Sequence, residues 1–107
     1  MKKAVWVSFD LGVTGDYEGR YSWLASNDAR ECGDNIAFIN FSPKGDLVEE
    51  LKKEIKKAVE VTKKTRIYVI YRSDEGKVKG SFLFGARRQA PWTGYGAVGG
   101  KEQTDEA

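Results

Sequence analysis

KAVWVSFDLGVTGDY, residues Lys3–Tyr17, is the stretch whose reading decides the fold. Residues 4–11 alternate, with Val5, Val7, Phe9 and Leu11 on one face of a strand and Ala4, Trp6, Ser8 and Asp10 on the other. The first set predicts a core face, and Asp10 stands where the second set ends. Gly12 and Gly15 break the strand, and Asp16 is suited to accept a free amide at the start of a helix. That helix is expected from Tyr17 to about Ser26, with Tyr17, Tyr21 and Leu24 as its buried stripe.

Reading onward, AREC and IAFINF flank the turn Gly33-Asp34-Asn35 and predict a hairpin over residues 29–41. IAFINF is apolar on both faces, so it belongs in the middle of a sheet or under cover on both sides. Pro43 and Gly45 mark a turn, and Asp46 with Glu49 forms a capping-box pattern. A helix from Leu47 to about Lys63 follows, its stripe Leu47, Val48, Leu51, Ile55, Ala58, Val59 and Thr62 backed by a lysine-rich solvated face. RIYVIYR, residues 66–72, predicts another strand, and a turn at residues 73–76 leads into a last strand over 77–86. Alternation there assigns Val78, Phe82 and Phe84 to the core and Lys77, Lys79, Ser81 and Leu83 to the opposite face.

Strand, helix, strand, strand, helix, strand, plus one added strand, is the order of an α+β ferredoxin-like plait: an antiparallel sheet with two helices on one face. Residues 1–95 are expected to form one domain and residues 96–107 a flexible tail. The uncovered sheet face would carry Trp6, Ser8, Asp10, Tyr68, Ile70, Arg72, Lys79 and Leu83, too many large apolar groups to leave in water. A second copy of the chain, or the C-terminal segment around Trp92, is expected to cover it.

Composition narrows the chemistry. The 107 residues suffice for one core, and no apolar run approaches the roughly 20 residues that cross a bilayer. The opening MKKAVWVSFD lacks the apolar core of a signal peptide, so a soluble cytoplasmic protein is expected. Cys32 is the single cysteine and is expected to be a buried, inert thiol. The chain has no histidine, which removes Ser/His/Asp and Cys/His triads, histidine metal sites and the commonest general base. Any catalysis must rest on carboxylates, a metal, lysine or tyrosine. The formal charge is +2, and the tail KEQTDEA holds one lysine against three acids, so the body before it is the more basic part.

A first strand ending S-F-D-L, a short glycine loop and then Asp16, Tyr17, Tyr21 and Leu24 in D-Y-x-x-x-Y-x-x-L resembles the SinR-like and GhoS-like proteins. These are relatives of the small ferredoxin-like CRISPR-associated nucleases, and the similarity of element order covers roughly residues 4–72. The resemblance implies a homodimer with its first strands near the two-fold axis and an association with RNA or DNA of the toxin–antitoxin or CRISPR-related type. It also implies metal-dependent nuclease activity, with Asp10 as catalytic acid and, together with its mate, as the ligand of a shared Mg²⁺. The aromatic and glycine-rich C-terminus departs from the CRISPR-associated pattern.

The residues themselves favour a structural role for Asp10, capping the Gly12 turn or accepting hydrogen bonds from loop amides. Arg66, Arg72, Lys79, Arg87 and Arg88, with Trp92, are the candidate contacts to nucleic acid. Arg87, Arg88, Trp92 and Tyr95 equally suit an arm packed on a sheet. KGSFLFGA, residues 79–86, echoes the aromatic motif of RNA-recognition domains but follows the second helix, where that motif would precede it, so Phe82 and Phe84 are assigned to the core. A non-enzymatic interaction module using Trp6, Ser8, Tyr68, Ile70 and Leu83 as its dimer face is the rival reading.

Overall fold

The computed structural model describes residues 2–13, 15–90 and 92–95. The expected tail, 96–107, lies outside them. Seven elements follow in order: β1 (Lys3–Asp10), α1 (Tyr17–Ser26), β2 (Arg30–Glu31), β3 (Ile36–Phe41), α2 (Leu47–Ala58), β4 (Arg66–Arg72) and β5 (Val78–Phe84). The architecture is α+β: a five-stranded sheet in the order β2-β3-β1-β4-β5, every neighbouring pair antiparallel. Among the described residues no helix is long and apolar enough to cross a membrane.

β1 is central, as its alternation demands. Val5, Val7 and Phe9 are fully buried and face the helices, while Ala4, Trp6, Ser8 and Asp10 face the uncovered side. Register carries those faces across the sheet. Val5, Val7 and Phe9 sit opposite Tyr71, Val69 and Ile67, whereas Trp6, Ser8 and Asp10 sit opposite Ile70, Tyr68 and Arg66. Leu51 and Ile55 of α2 and Trp23 of α1 close over the covered side to complete one core.

The α1 stripe is rotated from the expected one. Trp23 and Arg20 are buried, whereas Tyr17 and Tyr21 are 36% and 58% exposed. Trp23 has the largest apolar area to bury. Its ring meets Phe9 edge-on at 6.2 Å and its indole N–H donates to Glu54 of α2 at 3.1 Å, which fixes how the helix is turned. The two tyrosines then lie over the Arg20 guanidinium, with ring centroids 5.6 and 5.0 Å from its Cζ.

Asp16 caps α1 as expected, accepting from the Gly19 amide at 2.9 Å, and its second oxygen accepts from the Glu60 amide at 2.9 Å. That second bond requires the chain to leave the helix early. α2 ends at Ala58, short of the expected Lys63, and the β-branched Val59, Val61 and Thr62 oppose its continuation. Asp46 makes no side-chain cap. Glu50 instead bends back to accept from the amides of Lys44 and Gly45, stabilising the turn before the helix. Cys32 is exposed, because the β2–β3 turn stands at the sheet edge rather than over the core.

β5 brings the largest correction. Its pairing with β4 shifts register so that Tyr68 faces Phe82 while Ile67 faces Phe84, leaving Leu83 as an extra residue. This bulge inverts the alternation on its N-terminal side. Leu83 is 3% exposed and belongs to the core, not to the uncovered face. Phe82 moves the other way, to the uncovered face beside Tyr68, and Lys79, opposite Tyr71, falls on the helix side. Phe84 keeps its expected side, packed against the core with Lys52 of α2 5.8 Å from its ring.

Candidate functional site

The uncovered face has an apolar half and a charged half. In the apolar half Trp6 pairs with Phe38 across β1 and β3, ring centroids 5.1 Å apart, and Ile70 lies opposite Trp6 on β4. Trp6 remains 38% exposed. In the charged half Tyr68 and Phe82 meet edge-to-face at 4.8 Å, the geometry favoured by the ring quadrupoles. Tyr68 lies over Gly80: a Cβ there would fall 2.0 Å from the tyrosine oxygen. Glycine at this position is what permits the ring to rest on the sheet.

Arginines border this aromatic pair. The Arg87 Cζ stands 5.8 Å from the Phe82 ring centroid. Asp10, at the end of β1, accepts through one oxygen from Arg66 Nη2 at 2.8 Å, Arg66 Nε at 3.3 Å and Arg88 Nη2 at 3.1 Å. Arg66, Arg87, Ser8, Asp10, Tyr68 and Phe82 enclose a cleft of about 310 Å³. It adjoins a wider one of about 660 Å³, where Arg66, Arg87 and Phe82 are joined by Arg88, Gln89, Ala90 and Trp92. The segment around Trp92 therefore reaches the Phe82 end of the face and leaves Trp6 uncovered, with Trp92 itself 73% exposed.

Of the residues singled out from sequence, the fold brings Ser8, Asp10, Arg66, Tyr68, Arg87, Arg88 and Trp92 to one end of the face. Arg72 stands at the far end of β4, six residues or roughly 20 Å from Arg66, where its Nε donates to the Gly76 carbonyl. Lys79 is on the other side of the sheet. Phe82 and Phe38 were missed. No local signal marks the bulge that exposes Phe82. Phe38 was signalled by the double-sided apolar character of IAFINF.

The hydrogen bond from Arg66 holds the Asp10 carboxyl below the ordinary aspartate value of 3.8; partial burial opposes this, and the Arg66 charge, the Gly12 amide and Arg88 reinforce it. A carboxyl depressed in the folded state stabilises the fold above its unfolded value, and that contribution is lost as pH falls through the folded value. Asp10→Asn is therefore expected to cost about 0.5–1 kcal/mol at pH 7, the scale of a partly exposed pair, since the Asp10 side chain is 46% exposed. Urea unfolding of both proteins should show the difference closing as pH falls below 3.8. A gap that persists unchanged at pH 3 would remove the ion pair as its source.

In the single chain the Asp10 carboxylate at this end is committed to arginine and not free for Mg²⁺. The cation prefers carboxylate and water oxygens, and Asp10 already serves two guanidinium groups that would repel it. Among the described residues no group of three or more acidic, cysteine or histidine side chains converges to hold a metal. The arrangement instead offers cations and flat ring faces to an anionic, aromatic ligand. No family model, curated protein or solved structure matches this chain.

Proposed function

We propose that this chain binds single-stranded nucleic acid, RNA or DNA, on the uncovered face of its sheet, as a small nucleic-acid-associated protein of the toxin–antitoxin or CRISPR-related type. The observation that carries this reading is the Tyr68–Phe82 pair in a cleft bordered by Arg66, Arg87 and Arg88. Bases stack on such rings whatever their sequence, and guanidinium groups meet the phosphates between them. Asp10 acts as the clamp that holds Arg66 and Arg88 at the edge of the cleft. The order β2-β3-β1-β4 with β5 added beyond β4 supports reading the fold as a plait with one extra strand.

The apolar half, Trp6 with Phe38 and Ile70, is the part left for a second copy. Cleavage is not part of the proposal. A metal-dependent nuclease would need Asp10 released from both arginines, and Asp10→Asn is expected to retain binding.

Anisotropy of a labelled oligo-uridine and oligo-thymidine between about 50 and 200 mM salt tests the reading. About three arginine–phosphate contacts give log K a slope near −2 against log salt, at about 0.7 per phosphate on a single strand. Absence of binding at the low-salt end would remove the proposal and leave the interaction module in its place. A monomer mass on gel filtration would remove the second copy alone.

A further inference from the structure

β5 carries a ring with a cation on each face of the sheet. Phe82, on the uncovered face, has the Arg87 Cζ 5.8 Å from its ring centroid, and Phe84, on the helix side, has the Lys52 Nζ 5.8 Å from its own. β5 is the last strand of the sheet, with no strand beyond it among the described residues, and α2 packs along its helix side. The two pairs therefore stand on either side of one open edge, separated by only about 7 Å of strand. Beyond Lys52 the positive charge continues along α2. Lys52, Lys53, Lys56 and Lys57 are all exposed, and none forms an ion pair with a described acid. Lys52 with Lys56, and Lys53 with Lys57, are like charges one turn apart, an arrangement that destabilises a helix. Glu54, between them, is turned to the Trp23 indole.

The apolar stripe of α2 restricts which partner this charge serves. Leu51 and Ile55 are fully buried in the core, so the outer surface of the helix has cations to offer and no apolar face to lay into a bilayer. That favours a hydrated polyanion. We propose that a single strand bound at the Tyr68–Phe82 cleft continues around the β5 edge onto Phe84 and the Lys52–Lys56 side of α2. The inference rests on the single-strand site proposed above and extends it to a second surface. A base that follows the one on Phe82 meets the partly exposed Phe84 ring, and the phosphates beyond it meet Lys52 and, one turn or about 6 Å along the helix, Lys56. Each lysine acts there as a point charge on a phosphate.

The test is anisotropy of labelled oligo-thymidines of about 6 and about 16 nucleotides, within the range that small single-strand modules cover, on the intact chain between about 50 and 200 mM salt. The longer strand is expected to show a slope of log K against log salt near −3.5, against about −2 for the shorter, since two lysines add about 0.7 each. Lys52→Gln combined with Lys56→Gln alters exposed positions where glutamine keeps the helix propensity; it should bring the longer strand's slope back to about −2 and leave the shorter's unchanged. Lys2→Gln combined with Lys44→Gln removes the same charge from exposed residues elsewhere and should leave both slopes in place. A longer-strand slope that the Lys52/Lys56 variant does not move, or that the Lys2/Lys44 variant lowers equally, would overturn the proposal. An unmoved slope together with sedimentation on phosphatidylserine vesicles that the Lys52/Lys56 variant loses would assign the stripe to a membrane instead. Binding of neither strand would remove the reading of the uncovered face as well, whereas the other adverse results leave that reading standing.

Discussion

Replacing Tyr68 and Phe82 together with alanine is expected to weaken binding of a single-stranded oligonucleotide about 100-fold, with little change in its salt dependence. Each ring that stacks a base contributes about 1–3 kcal/mol by alanine substitution, so removal of two lies between about 1.4 and 4 powers of ten in Kd, and about 100-fold is in the lower half of that range. The arginines remain, so the phosphate contacts and the slope against salt remain with them. Arg66→Gln or Arg87→Gln should do the reverse, lowering the slope by about 0.7 each. Trp6→Ala, in the half of the face away from Arg66, Arg87 and Arg88, should change affinity less than about threefold if binding is confined to the charged half. Gly80→Ala gives the same comparison without deleting a ring. Its methyl group must push Tyr68 off the sheet, since it would otherwise lie 2.0 Å from the tyrosine oxygen. A double alanine variant that binds as tightly as the parent would show that the aromatic pair has no part in recognition.

Gly19→Ala is expected to destabilise the fold by about 2 kcal/mol, although helix propensity alone predicts a gain of about 1 kcal/mol for alanine over glycine. The added Cβ would fall 2.4 Å from the Ala58 carbonyl oxygen and 2.4 Å from an Asp16 carboxylate oxygen. One neighbour is the backbone of the other helix and the second is the cap of α1, and neither moves without losing a contact made elsewhere. Overpacking of this kind typically costs about 1–3 kcal/mol, and a backbone neighbour places it at the upper end. In a domain of this size the net loss lowers the melting temperature by roughly 10 °C. Calorimetry of the two proteins decides the sign, and a melting temperature equal to or above the parent's would refute the close approach of α1 to the end of α2.

The fold was legible in the sequence wherever a local pattern coincided with the packing. Val5, Val7 and Phe9 read as core because a strand alternates, and Leu47, Leu51 and Ile55 because a helix repeats every 3.6 residues. Asp16 read as a cap because its role is settled within four residues. What escaped depended on contacts distant in sequence. Tyr17 and Tyr21 have the spacing of a buried stripe, but Trp23 turns the helix to reach Phe9 and Glu54. Glu50 was overlooked as the residue closing the turn at Gly45, since the usual spacing pointed to Glu49. The site was legible in its charges and half legible in its rings. Asp10, Arg66 and Tyr68 follow from the phases of β1 and β4, whereas Phe82 depends on a single unpaired residue, Leu83, that no alternation pattern announces.

Asp16 joins two parts of the chain that are 44 positions apart, holding the Gly19 amide with one oxygen and the Glu60 amide with the other. The first turn of α1 and the exit from α2 therefore share one carboxylate. Neither end frays on its own, because release of one amide reorients the group that holds the other. In a chain of this length, such a bond couples the strand–helix unit at the start to the helix–strand unit that follows, so the two open as one cooperative unit. Its closure must also wait until the intervening hairpin and α2 are in place, which makes it a late event in folding.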